Sequence, residues 1–269
     1  MQPEPVLTLL LRPLKMRSMN EQEPLIPHDS KSVVAWSALA TIGWGVGVLA
    51  FFIFVQLMVT VFYVGSVYGD ISQEEFASIA REIQYNGTLL ALSLTSTGLI
   101  CTALVVMIIG LKPGTSLIEY LLLKLVPWWE WRRWLGLLVA FMVVSTLFSA
   151  VASRETPIFV TEVYSTASPF WMLLLALIVA APLFEEVFFR GFLHRGLAQS
   201  YVGHVGAIVI TAALWSAIHT QYDYWEMTMV FFLGLLLGAA RTYGGSLYLP
   251  LAMNAAYNAV SVVIFHAFR

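Results

Sequence analysis

The chain has 269 residues, 59% hydrophobic and 11% charged, with a formal net charge of −2 and a mean hydropathy of +0.80. Soluble domains carry about 25% charged residues, so this composition excludes an ordinary soluble protein and points to a multi-pass integral membrane protein in a lipid bilayer. The near-neutral charge and the lack of a basic cluster exclude a nucleic-acid partner, and the single cysteine, Cys101, excludes an internal disulfide and a thiolate zinc site and is assigned to packing.

Residues 1–32 are polar and proline-bearing and read as a flexible cytoplasmic tail. No A-x-A-type site follows an apolar core there, so a cleavable signal peptide is not expected. Residues 33–168 read as N-terminal transmembrane helices with interfacial loops. A first span is expected at about 36–64, with Gly43, Gly45 and Gly47 allowing close helix approach. Ser72 through Glu75 has the capping-box pattern and opens a short amphipathic helix on the membrane surface. A second span is expected at about 89–111. Ser116 through Glu119 repeats the capping-box pattern. Trp128, Trp129, Trp131 and Trp134 with Arg132 and Arg133 form an interfacial belt leading into a third span at about 134–151.

Ser168-Pro169 marks the start of a fourth helix reaching about residue 198. Further spans are expected at about 206–222, 226–241 and 247–268, with Gly244-Gly245 as the tight turn before the last. The fold class is therefore all-α, a polytopic transmembrane helix bundle of about seven to eight spans. Lys and Arg concentrate in alternate connections in the way that places the N-terminus in the cytoplasm.

The fourth helix carries the anomaly. Glu185, Glu186 and Arg190 lie in an otherwise apolar stretch, where a charge at bilayer depth costs roughly 2.5–3.5 kcal/mol on insertion scales. Glu186 and Arg190 are spaced i, i+4 and can neutralise each other on one face. Glu185 is rotated by about 100° and has no partner within its own helix. An unpaired intramembrane carboxylate marks a candidate functional site. Two more polar pairs interrupt later spans: Trp215 with His219, and Asn254 with Asn258, each at i, i+4. At 1.5 Å per residue, Glu185 and His219 lie roughly 20 Å, and Asn258 roughly 17 Å, from the cytoplasmic ends of their helices. The three helices thus place these groups in overlapping layers, expected to face the cytoplasmic half. His28, His194, His204 and His266 are assigned to surfaces or helix ends.

The sequence Glu185-Glu186-x-x-x-Arg190 with Gly191, the Trp215-x-x-x-His219 pair and the x-x-x-Asn element ending at Asn258 resemble the CAAX-protease and bacteriocin-processing family of intramembrane proteases, the Abi or Rce1-like group, over about residues 170–265. The resemblance implies an intramembrane catalytic cavity, residues 169–269 as the catalytic core, and hydrolysis of a peptide bond in a membrane-associated protein or peptide. It casts Glu185 as the base that activates a water and His219 as its partner on that water. Asn254 and Asn258 would serve as oxyanion donors, with Glu186, Arg190 and Trp215 supporting the site. Two positions depart from the family: Trp215 replaces the usual Phe, and Asn254 the usual His. The second change is chemical, because an amide is a poor zinc ligand. No cofactor is therefore expected, and zinc, where held, would fall to Glu185 and His219. The same change underlies the alternative reading, a catalytically silent member that acts as a membrane binding or immunity scaffold.

Overall fold

The computed structural model describes residues 35–267, which form helices and short connections without a strand among the described residues. The expected N-terminal tail lies outside them. The helices are Ala38–Tyr68 (α1), Gln73–Gln84 (α2), Gly87–Gly110 (α3), Leu117–Leu121 (α4), Trp128–Val151 (α5), Ile158–Thr166 (α6), Phe170–Ala198 (α7), Gly203–Ala217 (α8), Tyr224–Tyr243 (α9) and Tyr248–Ala267 (α10). Five of them, α1, α3, α5, α7 and α10, are long and apolar enough to cross a bilayer. The seven or eight spans expected from sequence are not all met: α8 has 15 residues, about 22 Å against a hydrocarbon core of about 30 Å.

The connections gather at two ends. At one, Leu247 N donates to the Leu122 carbonyl at 3.2 Å, Ser246 Oγ donates to the Lys124 carbonyl at 2.7 Å, and Tyr120 stacks on Phe192. At the other, Arg154 pairs with Asp223 and Gly87 N donates to Thr166 Oγ1 at 2.8 Å. The first end carries Lys112, Lys124, Arg132, Arg133, Arg195 and Arg241 against Glu119 and Glu130. The second carries Asp70, Glu74, Glu75, Glu82, Glu155, Glu162, Asp223 and Glu226 against Arg81 and Arg154. The two ends are thus opposite in charge.

Local signals met different fates. The Ser72 capping box forms, with Glu75 N donating to Ser72 Oγ at 3.3 Å and Ser72 N to Glu75 Oε2 at 3.1 Å. The Ser116 box does not: α4 stops after five residues at Leu122, which takes a left-handed conformation at φ 52, and Ser116 makes no side-chain cap bond. The tryptophan belt is the opening of α5 rather than a loop before it, and Arg132 lies over the Trp128 ring at 4.5 Å. Helix α7 begins at Phe170 with Pro169 in the capping position, while Ser168 is tied through its backbone to Thr88 at the start of α3. Only one of the four α1 glycines makes a close approach: a Cβ on Gly45 would lie 2.8 Å from Leu193 Cδ2, whereas Gly43, Gly47 and Gly65 face open space. Helix α3 runs through the core, where Cys101 is fully buried as packing, and a Cβ on Gly98 would meet the Ala180 carbonyl of α7 at 2.6 Å.

Candidate active site

Helix α7 is wound irregularly around its charged residues. Ala176–Ala180 and Glu186–Leu193 are π-helical, with the α-helical turn Ala181–Glu185 between them. The first irregularity has a local cause. Ala181 N donates to the Ala176 carbonyl, an i to i−5 bond. In that register residue 182 would donate to the Leu177 carbonyl, but Pro182 has no N–H. Asn258 Nδ2 of α10 donates to Leu177 instead, at 2.8 Å. One proton of the Asn258 amide is therefore committed to the break in α7.

The expected Glu186–Arg190 pair forms, with Arg190 Nη1 at 2.9 Å from Glu186 Oε1 and both side chains 0% exposed. Arg190 Nη2 donates to the Gly234 carbonyl at 3.3 Å, and its guanidinium lies 4.4 Å from the Trp215 ring centroid. Gly234 lets α8 and α9 pack closely, since a Cβ there would sit 3.0 Å from Ala212 Cβ and the neighbour would have to give way slightly. Glu185, by contrast, is half-buried. Asn254 Nδ2 donates to Glu185 Oε2 at 2.8 Å and to Glu186 Oε1 at 2.9 Å. Both protons of this amide nitrogen go to carboxylates, so Asn254 bridges the two glutamates where sequence reasoning assigned it to an oxyanion.

His219 lies two residues beyond the last residue of α8. The length of roughly 20 Å assigned to it from the helix start holds, but the helix is short, so the residue sits at the acidic-loop end. Its Nδ1 is 2.7 Å from the Trp215 carbonyl. A carbonyl only accepts, so Nδ1 carries the proton and the neutral ring keeps its lone pair on Nε2. The ring meets Trp215 edge-on at 5.1 Å and stacks on Tyr222 at 6.2 Å.

Tyr222 escaped sequence reasoning. It lies in the loop after α8, edge-on to Phe159 at 6.0 Å. Burial pushes its phenol above the ordinary range, and Tyr164, Tyr257 and Glu185 are close enough for their charges to add to that. An open cleft of about 480 Å³, lined by Tyr85, Arg154, Phe159, Thr220, Gln221 and Asp223 among others, borders this loop at the acidic end. Direct contacts thus join Glu185, Glu186, Arg190, Trp215 and Asn254, reach His219 through Trp215, and leave Asn258 one helical turn further on against Leu177.

No three His, Cys, Asp or Glu side chains gather in ligand geometry among the described residues, and zinc sites take three or four protein ligands.

Residues 166–260 match the family described as type II CAAX prenyl endopeptidase Rce1-like. The C-terminal segment is thus similar to that family. All seven residues singled out from the sequence, from Glu185 to Asn258, fall inside the Rce1-like match. An uncharacterized 24.3 kDa protein of Escherichia coli is 31% identical over 121 residues, covering 43% of this chain and 55% of that protein. The chain spans about half the length of this curated relative. No solved structure matches.

Proposed function

We propose that this chain is an intramembrane endopeptidase, CAAX-protease-like, that cleaves a membrane-associated protein or peptide with a glutamate-activated water and no metal. The carrying observation is the difference between two adjacent carboxylates: Glu186 is sealed against Arg190, while Glu185 is half-buried and held by the Asn254 amide. Glu185 is then the base. It takes a proton from a water whose oxygen adds to the scissile carbonyl carbon, and returns it to the leaving amine as the C–N bond breaks. The Nε2 lone pair of His219 accepts a hydrogen bond from that water and orients it. Asn254 is a positioning residue that keeps Glu185 beside Glu186. The second N–H of Asn258 and the phenol of Tyr222 supply hydrogen bonds to the oxyanion.

In this reading α8 and α9 pack with the five spanning helices around an intramembrane cavity, and the basic end faces the cytoplasm, with the N-terminus on the same side. The deciding experiment is cleavage of a labelled peptide by the purified protein in detergent micelles, with a prenylated C-terminal peptide as the first probe. Glu185→Gln should abolish cleavage while the protein stays folded and membrane-inserted. Full activity in that variant would overturn the assignment.

A further inference from the structure

The basic end contains a second buried polar cluster that the peptidase reading does not use. Arg241, in the last turn of α9, is 2% exposed, yet its Nε and Nη2 are buried and reach no hydrogen-bond partner. Arg195, in the last turn of α7, has an equally unpartnered buried Nε. No ion pair involves either arginine among the described residues. The two lie close enough to act electrostatically on each other and on His194 and His204. His194 is buried, with Nε2 3.0 Å from Thr242 Oγ1 and its ring 6.0 Å from that of His204.

Cations are ordinary at helix C-termini, where they meet the last carbonyls. Arg241 does not fit that account, because the buried nitrogens reach no carbonyl. Two guanidinium groups and two imidazoles converge with no anion among them in the described residues, and buried charge without a partner is strongly unfavourable. The guanidinium fork matches a phosphate oxygen pair. Exposure is graded from His204, which is exposed, through half-buried Arg195 to buried His194 and Arg241, so the cluster opens to the surface. Tyr201 beside it is fully exposed at 101%, in the manner of an interfacial anchor.

We propose that this cluster is a binding site for a phosphate group, presented by an anionic phospholipid headgroup at the basic face of the membrane. Basic pockets between membrane helices at the cytoplasmic surface bind such headgroups. A peptide substrate is disfavoured as the source of the anion: every residue of α7 from Glu186 to Leu193 is buried, so no surface path along that helix joins the cluster to Glu185. The site stands whether or not the chain is a peptidase.

The test is thermal unfolding of the full chain in zwitterionic micelles, alone, with phosphatidylglycerol, and with inorganic phosphate, alongside native mass spectrometry for retained lipid. Wild type should gain several degrees with phosphatidylglycerol and none with phosphatidylcholine. Arg241→Met should lose that gain and, in plain micelles, unfold no lower than wild type, since it removes an unpartnered buried cation. Arg195→Gln, at a less buried position, should weaken lipid retention without a change in fold. An equal gain with millimolar inorganic phosphate would keep the phosphate site but assign it to a soluble ligand. Lipid stabilisation that survives Arg241→Met and Arg195→Gln together, or a gain only with peptides that have a free C-terminal carboxylate, would overturn the proposal.

Discussion

Arg190 holds Glu186 at 2.9 Å inside the helix bundle, with neither side chain exposed to solvent. Removal of one member of such a pair leaves an uncompensated buried charge, which costs about 3–5 kcal/mol. Arg190→Met should therefore destabilise the protein by that order in reversible detergent unfolding, and Glu186→Gln by less, since its neutral amide still accepts from Asn254. The double variant should recover much of the loss. Additive losses would mean that the pair is not coupled.

Asn254→Ala should lower kcat by about 10–100-fold, the usual effect of losing a group that orients a reacting side chain, with KM little changed. Two glutamates would then face each other without the bridging amide. Asn254→His restores only one N–H per ring nitrogen and should recover part of the rate. Steady-state kinetics on one peptide separates the two parameters.

Asn258→Ala should cost about 1–3 kcal/mol by leaving the Leu177 carbonyl unsatisfied. Pro182→Ala restores the missing N–H. If Asn258 serves α7, Pro182→Ala should relieve the stability loss of Asn258→Ala in the double variant. An activity loss that Pro182→Ala does not relieve would mark Asn258 as an oxyanion donor as well.

Metal content checks the donor argument. Purified protein should hold well under one zinc per chain, and strong chelators should leave cleavage intact. Stoichiometric zinc whose removal and return switch activity off and on would make Glu185 and His219 ligands instead.

Asp223 sits outside the spans, where a proton held on the Glu226 carboxyl and shared with it, then bonds from the Trp225 N–H and Arg154, pull its carboxyl from 3.8 to about 2. A carboxyl depressed on folding stabilises the fold above its ordinary value, and that contribution fades as pH falls through it. The melting temperature should therefore drop as pH falls from 3.8 towards about 2, and Asp223→Asn, which keeps a capping oxygen for Trp225, should flatten that drop.

Residue identity and spacing made the charged layer legible. The pairing of Glu186 with Arg190 and the lack of a partner for Glu185 within its own helix followed from helical phase alone. The role of Asn254 was hidden because the amide's partners depend on which helix faces which, and that is a property of packing. The end of α8 was hidden too: no Gly or Pro follows Ala217 to stop the helix before Tyr222. Tyr222 reads as the last residue of a span at 206–222, and only the fold sets it in the loop after α8, stacked on His219.

Just beyond Glu185, residues Glu186–Leu193 are wound as a π helix. A π turn accommodates an extra residue within an α-helical path, so the angular offset between Glu185 and the groups downstream is written in chain length as well as in side-chain identity. Substitutions within 187–193 can alter packing one position at a time. A single-residue deletion there would let the helix relax to the α register with everything beyond it still in phase, although a deletion within 187–189 would also move Arg190 from i, i+4 to i, i+3 of Glu186. An insertion, which would need a second wide turn to be absorbed, is what this segment tolerates least.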